Sequence, residues 1–282
     1  MSDELPRRSV LYLPSSNARA LEKAKTIPTD ALIFDLEDAV APDAKLAARE
    51  QAVAAVRSSQ YGGRELTIRC NGLDTPWGHD DLAAAVAAGP AAVVIPKVSG
   101  PAQLDEAAAL AGGTRLWAMV ETPAALFSIR AIAGHPAVEV LVLGTNDLAK
   151  ELRAALVPGR APLLAHLATA LLGARDAGKV ILDGVYNDVH DLAGFEAECV
   201  QGVQLGFDGK TLVHPTQVPV ANRVWAPTEA EVEQAQRVIE AFDEARRDGR
   251  GVVTVDGRMI ERLHVDSARR TLATAQAIAD RV

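Results

Sequence analysis

Acidic side chains in this sequence collect just beyond short apolar runs. Asp35-Leu36-Glu37-Asp38 follows Ala31–Phe34, Glu121 follows Leu116–Val120, and Asp147 follows Val138–Leu143 through Gly144-Thr145-Asn146. If the runs are neighbouring strands, Glu121 and Asp147 end chains about 5 Å apart. Two carboxylates with no His or Cys close in sequence suit a hard divalent cation. Mg2+ takes one or two protein carboxylates and fills its octahedron with water and substrate oxygens. Metals that seek imidazole or thiolate are disfavoured. The competing role for Asp147 is to cap a helix beginning near Leu148.

Basic residues occupy equivalent places. Arg69 ends the run Glu65–Ile68 beside Asn71-Gly72, and Lys97 follows Ala91–Pro96. An Arg among carboxylates is either their counter-ion or a fork for a substrate carboxylate or carbonyl. Strand alternation puts Ile33, Asp35 and Glu37 on one face and Phe34 and Leu36 on the other. Asp35 and Glu37 are therefore expected to point inward with the chemistry, unless one serves as structural glue to Arg69 or Lys97. The six histidines show no zinc spacing, and no nucleophile elbow, P-loop or dinucleotide fingerprint is present.

The elements that must position these residues alternate in type. Eight β-rich runs are expected at Ser9–Leu13, Ala31–Leu36, Glu65–Cys70, Ala91–Ile95, Leu116–Val120, Val138–Leu143, Val180–Leu182 and Gly202–Phe207. Helical spacing lies between them, as in Lys45–Val56, Asp80–Ala88, Gln103–Ala111 and Pro162–Ala177. This alternation predicts an α/β fold, a (β/α)8 TIM barrel, over an open doubly wound sheet. Barrel enzymes keep their chemistry at the C-terminal ends of the strands, where these charges fall. Residues 1–226 are expected to form the barrel. Residues 227–282 read as a helix–hairpin–helix extension, an oligomer arm or a lid. Thr228 and Glu231 cap its first helix, to about Arg247; Gly251–Met259 turns at Asp256-Gly257, and a last helix starts near Asp266.

Composition narrows the function classes. The 282 residues are 49% hydrophobic, 23% charged and 4% aromatic, which excludes wholesale disorder and requires an aliphatic core. With 29 Lys+Arg against 37 Asp+Glu the net charge is −8, with no basic cluster for nucleic acid. No apolar run reaches a membrane span. Met1–Arg8 lacks the apolar core of an export signal, and Cys70 and Cys199 fit no metal spacing, so a cytoplasmic protein is expected.

Taken together, Arg8-Ser-Val-Leu-Tyr12-Leu-Pro14, Asp35-Leu-Glu-Asp38, Arg69, Pro96-Lys97, Glu121-Thr122, Asn146-Asp147 and Gly206-Phe-Asp-Gly-Lys210 with His214-Pro215 and Gln217 give the chain its likeness. It resembles the citrate lyase β-subunit and malyl-CoA lyase family of aldolase-type barrels, in order along nearly its whole length. The resemblance implies Mg2+ on Glu121 and Asp147, and Arg69 on the substrate's acid or carbonyl group. It places Tyr12, Arg19 and Lys23 near coenzyme A, although Arg19 and Lys23 alone would read as a solvated helix face. In related lyases an Asp in a D-G-x-M-I-D stretch reaches a neighbouring subunit's site as acid/base. Here Glu261 stands at that place in Asp256-Gly-Arg-Met-Ile-Glu261, and its alternative is a surface pairing with Arg258 or Arg262.

The implied activity is a Mg2+-dependent carbon–carbon lyase. It would cleave or form a 3-hydroxy-3-carboxyalkyl-CoA thioester, giving an acyl-CoA and a 2-keto acid. Asp35, Glu37, Arg69 and Glu261 are the candidate catalytic residues. Tyr12, Arg19, Lys23, Arg69, Lys97 and Glu121 are the candidate substrate contacts. The alternatives are an aldolase for free keto acids and a citrate lyase β-like component inactive without other lyase subunits. The kinship favours a homotrimer.

Overall fold

The computed structural model describes residues 5–247 and 253–281. In chain order the elements are β1 (Ser9–Pro14), α1 (Ala18–Ala24), β2 (Ala31–Asp35), α2 (Lys45–Arg57), β3 (Glu65–Arg69), α3 (Gly78–Ala88), β4 (Ala92–Ile95) and α4 (Pro101–Ala111). Next come β5 (Arg115–Val120), α5 (Pro123–Phe127), α6 (Ile129–Ala133), β6 (Val138–Leu143), α7 (Thr145–Leu152), α8 (Leu164–Asp176), β7 (Val180–Asp183), α9 (Leu192–Leu205), β8 (Gly209–Leu212) and α10 (Val218–Val224). The chain ends in α11 (Glu229–Arg247), β9 (Val253–Val255), β10 (Arg258–Ile260) and α12 (Arg262–Ala279).

Strands β1 to β8 pair in sequence order, all parallel, and close into a barrel as β8 meets β1. Val10, Ala31, Ile33, Ala92, Val94, Trp117, Met119, Val140, Val142 and Leu182 fill the interior. Phe34, on the opposite face from Ile33, packs outward, edge-on to Tyr61 at 5.3 Å between ring centres. The alternation along β2 thus sends Asp35 to the inner side, as expected. At the N-terminal ends of the strands, Arg7 pairs with Glu65 at 2.6 Å and Glu139 at 2.7 Å, its guanidinium 5.3 Å from the Trp117 ring centre. Charge at that end of a barrel reads as stability rather than chemistry.

One strand lies elsewhere than its sequence suggests. The run Gly202–Phe207 falls mostly in α9, and the eighth strand is Gly209–Leu212. Its short sequence, Gly-Lys-Thr-Leu, carries a charge in mid-strand, so it has no apolar signature. Lys210 is fully buried because its ammonium donates to Asp183 at 3.1 Å and to Glu198 at 2.8 Å. Lys210 is therefore a strand residue rather than one that follows the strand. Asp208 precedes it, and its carboxylate bonds the backbone N–H of Ile181 and the side chain of Arg175.

The chain divides into two units. Arg7–Arg223 forms the barrel, and the other unit holds the described residues from Val224 onward with the few before Arg7. In the second unit Thr228 and Glu231 form their reciprocal cap, with N–H to oxygen distances of 2.8 and 3.2 Å. Helix α11 continues to Arg247, and β9 pairs antiparallel with β10. Asp256 and Gly257 make the hairpin turn, with φ of 48° and 75°. The expected hairpin start at Gly251 lies outside the described residues, as do Asp248 and Gly249, where the sequence also places the end of α11. Ala235, Val238, Ile260, Val265 and Ala268 form this unit's own core. The last helix begins at Arg262 rather than near Asp266 because Glu261 caps it, its backbone N–H donating to His264 Nδ1 at 2.9 Å.

Gly209 tests barrel closure. A Cβ there would sit 1.8 Å from the Arg7 carbonyl oxygen on the chain entering β1. Backbone cannot yield as a side chain can, so Gly209→Ala is expected to cost about 3 kcal/mol or more, read from chemical denaturation.

Candidate active site

Asp35 and Arg69 are register partners on β2 and β3, and both are buried at the C-terminal end of the barrel. Arg69 Nε and Nη2 each donate to one Asp35 oxygen at 2.7 Å. The same carboxylate accepts from the backbone N–H groups of Glu37 at 2.9 Å and Ala39 at 3.1 Å. Burial alone would raise the Asp35 pKa; the Arg69 charge and these hydrogen bonds outweigh it and hold the carboxyl below its usual range. With both oxygens engaged, Asp35 occupies the structural-pairing role and orients Arg69.

Arg69 Nη1 lies 2.7 Å from Glu37 Oε2, and its guanidinium carbon stands 5.0 Å from the Tyr12 ring centre. The Tyr12 hydroxyl faces Met119 Sδ at 3.9 Å. Burial, the largest influence, pushes the Tyr12 pKa up. Tyr12 is thus a platform under Arg69, while Arg19 and Lys23 stand exposed on α1 with no side-chain partner among the described residues. Glu37 also accepts from Lys97 Nζ, whose second neighbour is Asp38 at 3.4 Å. Burial raises the Glu37 pKa against the pull of Arg69 and Lys97.

Glu121 follows directly from β5. Oε1 accepts the backbone N–H of Lys97 at 2.6 Å, while Oε2 is buried with no hydrogen-bond partner. Lys97 has φ 50°, so a left-handed residue presents that N–H. A Cβ at residue 144 would lie 2.2 Å from Glu121 Oε2, so Gly144 leaves the space the carboxylate fills. Burial, then the charge of Glu37, raises the Glu121 pKa to about 7; Asp147 adds to the rise. Asp147 lies in the first turn of α7 behind a Gly144 cap, so it is not the capping residue. Its carboxylate has no hydrogen bond or ion pair among the described residues, and the helix N-terminus favours negative charge there.

An unpaired buried acceptor that feels the charge of a second carboxylate fits a cation better than it fits a finished ion-pair network. When ionised, Asp35, Glu37, Asp38, Glu121 and Asp147 exceed Arg69, Lys97 and Lys45 by two charges, the charge of one divalent ion. No group of three or more His, Cys, Asp and Glu able to hold a metal occurs among the described residues. Glu121 Oε2 and the Asp147 carboxylate would offer a cation two protein oxygens, leaving the rest of its shell to water and substrate, as Mg2+ accepts.

Lys45 and Asn71 escaped the sequence reading as contributors. They brace the turn after β2, and only Asn71 had a signal, its place beside Gly72. Asp183, at the end of β7, is consumed by Arg160 at 2.6 Å and by Lys210. A cavity of about 320 Å³, lined by Arg160, Leu156, Tyr186 and Glu198 among others, adjoins that network; neither Glu121 nor Asp147 lines it. His214 caps the turn Pro215–Gln217, its Nδ1 accepting from the Thr216 N–H at 3.3 Å. Glu261 belongs to the second unit. No described helix is long and apolar enough to cross a membrane.

Residues 8–215 match the HpcH/HpaI aldolase/citrate lyase family, and residues 161–279 match the family described as C-C_Bond_Lyase of the TIM-Barrel fold. The chain is 51% identical over 274 residues to a (3S)-malyl-CoA thioesterase of Cereibacter sphaeroides, covering 97% of this chain and 96% of the relative. It is 37% identical over 284 residues to citrate lyase subunit beta of Escherichia coli, covering 96% and 93%. Among solved structures, protein CitE of Mycobacterium tuberculosis in complex with magnesium, acetoacetate and coenzyme A superposes with a TM-score of 0.78 at 28% identity, covering 95% of this chain and 97% of that one.

The Glu121 carboxyl makes metal-free stability depend on pH. Its folded pKa of about 7 stands above the ordinary glutamate value of 4.5, so its contribution is full below about 4.5 and lost as pH rises through 7. Chelator-treated wild type is expected to lose on the order of 3 kcal/mol more than Glu121→Gln across that window. Denaturant titrations at pH 4.5 and 8 check the difference.

Proposed function

The chain belongs to the HpcH/HpaI aldolase/citrate lyase family, and we propose that it is a Mg2+-dependent carbon–carbon lyase for a malyl-type CoA thioester. The observation that carries this reading is the buried, unpartnered Glu121 Oε2, which feels the charge of the unpaired Asp147. Its relatives named for malyl-CoA and citrate support the substrate class. The magnesium complexes of structural neighbours support the metal.

Cleavage breaks the bond between the thioester α-carbon and the hydroxyl-bearing carbon. The hydroxyl gives its proton to water, its carbon becomes the keto-acid carbonyl, and the electron pair of the broken bond becomes a thioester enolate that then takes up a proton at the α-carbon. When bound, Mg2+ held by Glu121 and Asp147 would supply Lewis-acid stabilisation of charge on the substrate oxygens. Arg69, locked by Asp35, offers a pre-oriented charge-assisted donor to the carboxylate or carbonyl. Glu37 and Lys97 hold that guanidinium and the Glu121 carboxylate in place. Glu261 is the proposed proton donor at the α-carbon, from a neighbouring subunit of a homotrimer, an assembly that light scattering would check. Arg19 and Lys23 are the proposed contacts to the coenzyme phosphates.

A second reading is thioester hydrolysis, favoured by the 51% identity to proteins named (3S)-malyl-CoA thioesterase. Water would then attack the thioester carbonyl and release the coenzyme thiol. One assay separates the two. Purified protein with malyl-CoA and Mg2+ is expected to release glyoxylate and acetyl-CoA, and to stop when EDTA is added. Malate and free thiol without glyoxylate would decide for hydrolysis. No turnover without other subunits would favour a citrate lyase β-like component. Glu121→Gln is expected to lower kcat about 10²–10³-fold; a wild-type rate would remove the metal reading.

Glu261 has its own test. Glu261→Gln is expected to lower kcat about 10²–10⁴-fold with little change in KM, as loss of a proton-transfer group does. An unchanged rate would leave Glu261 as a helix cap alone.

A further inference from the structure

Behind the candidate site, Lys45 opens α2 with only 6% of its surface exposed. Its ammonium donates to the carbonyl oxygens of Leu36 and Glu37 and to Asn71 Oδ1, each at 2.7 Å. An ammonium has three N–H donors, so all are accounted for. The Trp77 ring centre lies 5.4 Å from Nζ. Asn71 is itself held, donating through Nδ2 to the Leu36 carbonyl at 2.9 Å and to Asp81 at 2.6 Å. Arg49 Nε fixes the far oxygen of Asp81 at 2.6 Å.

The two backbone carbonyls that Lys45 grips belong to the peptide planes on either side of the Glu37 α-carbon. Planar peptides leave φ and ψ as the only soft angles between them. Holding both planes therefore fixes the Glu37 backbone and the direction in which its side chain leaves. That side chain is the bridge between Arg69 and Lys97. Packing alone does not call for a buried cation here, since an apolar chain would fill the space against Trp77 without the cost of desolvating a charge.

We propose that Lys45 is a positioning residue, whose ammonium pins the peptide planes flanking Glu37 and thereby fixes the Glu37 side chain between the anchored Arg69 and Lys97 at the barrel mouth. This rests on the reading of that mouth as the site for Mg2+ and substrate oxygens. Lys45→Met keeps the stem against Trp77 and removes the three donors. Calorimetry with oxalate in saturating Mg2+ is expected to show a ten- to hundredfold loss of affinity, while thermal unfolding stays cooperative. Lys45→Arg keeps the charge, but a planar fork cannot make three tetrahedral contacts, so a loss of at least tenfold is expected there too.

Wild-type oxalate affinity in Lys45→Met would overturn the proposal. If Lys45→Met does not fold, Lys45→Arg decides by the same reading. If wild type itself fails to bind oxalate with Mg2+, the magnesium reading falls. The crystal structure of Lys45→Met then judges the clamp alone, supported by a displaced Glu37 and overturned by one that superposes on wild type.

Discussion

The two-pronged ion pair between Asp35 and Arg69 organises the candidate site. It joins adjacent parallel strands at matching register, with both partners buried. A buried charge pair adds little net stability against an apolar equivalent, yet removing one partner is costly. Its value here is directional. Two prongs fix the guanidinium plane, which leaves Nη1 for Glu37 and one face for the Tyr12 ring. Each further carboxylate at the mouth is placed relative to a cation that does not move.

From that anchor the barrel separates two kinds of charge. At the N-terminal ends both acids of the cluster at Trp117, Glu65 and Glu139, are ion-paired to Arg7. At the other end Glu121 Oε2 and Asp147 have no cationic partner among the described residues. The imbalance shows in Glu121, which burial and the neighbouring Glu37 drive to a pKa of about 7. Gly144 and the Lys97 backbone N–H hold this carboxylate where water is excluded, so one oxygen remains without a protein partner. Charge left uncompensated inside a rigid frame is what binds cations and polarises substrates.

The parts of this arrangement legible beforehand were those with local periodicity. Apolar runs of strand length mark seven of the eight strands, and the alternation in Ile33, Phe34 and Asp35 told inside from outside. The family motifs carried Glu121, Asp147 and Arg69. The eighth strand was misplaced because its middle residue, Lys210, is charged and depends on Asp183 and Glu198 for its burial. Lys45 read as an ordinary helix start, since nothing near it in sequence shows that its ammonium meets Asn71, 26 residues away.

The sequence by itself determined the alternation of elements, the end of the barrel that carries charge and the membership of the family. Each is written in residue types within one strand or helix. The tertiary structure alone decided which charges neutralise one another. Asp35 and Asp147 look alike in sequence, each an acid just beyond an apolar run. Asp35 stands in register with Arg69 and has both oxygens engaged, whereas Asp147 sits in the first turn of α7 with none engaged. Strand register and burial set that difference, because Coulomb attraction and desolvation depend on distance through space rather than along the chain.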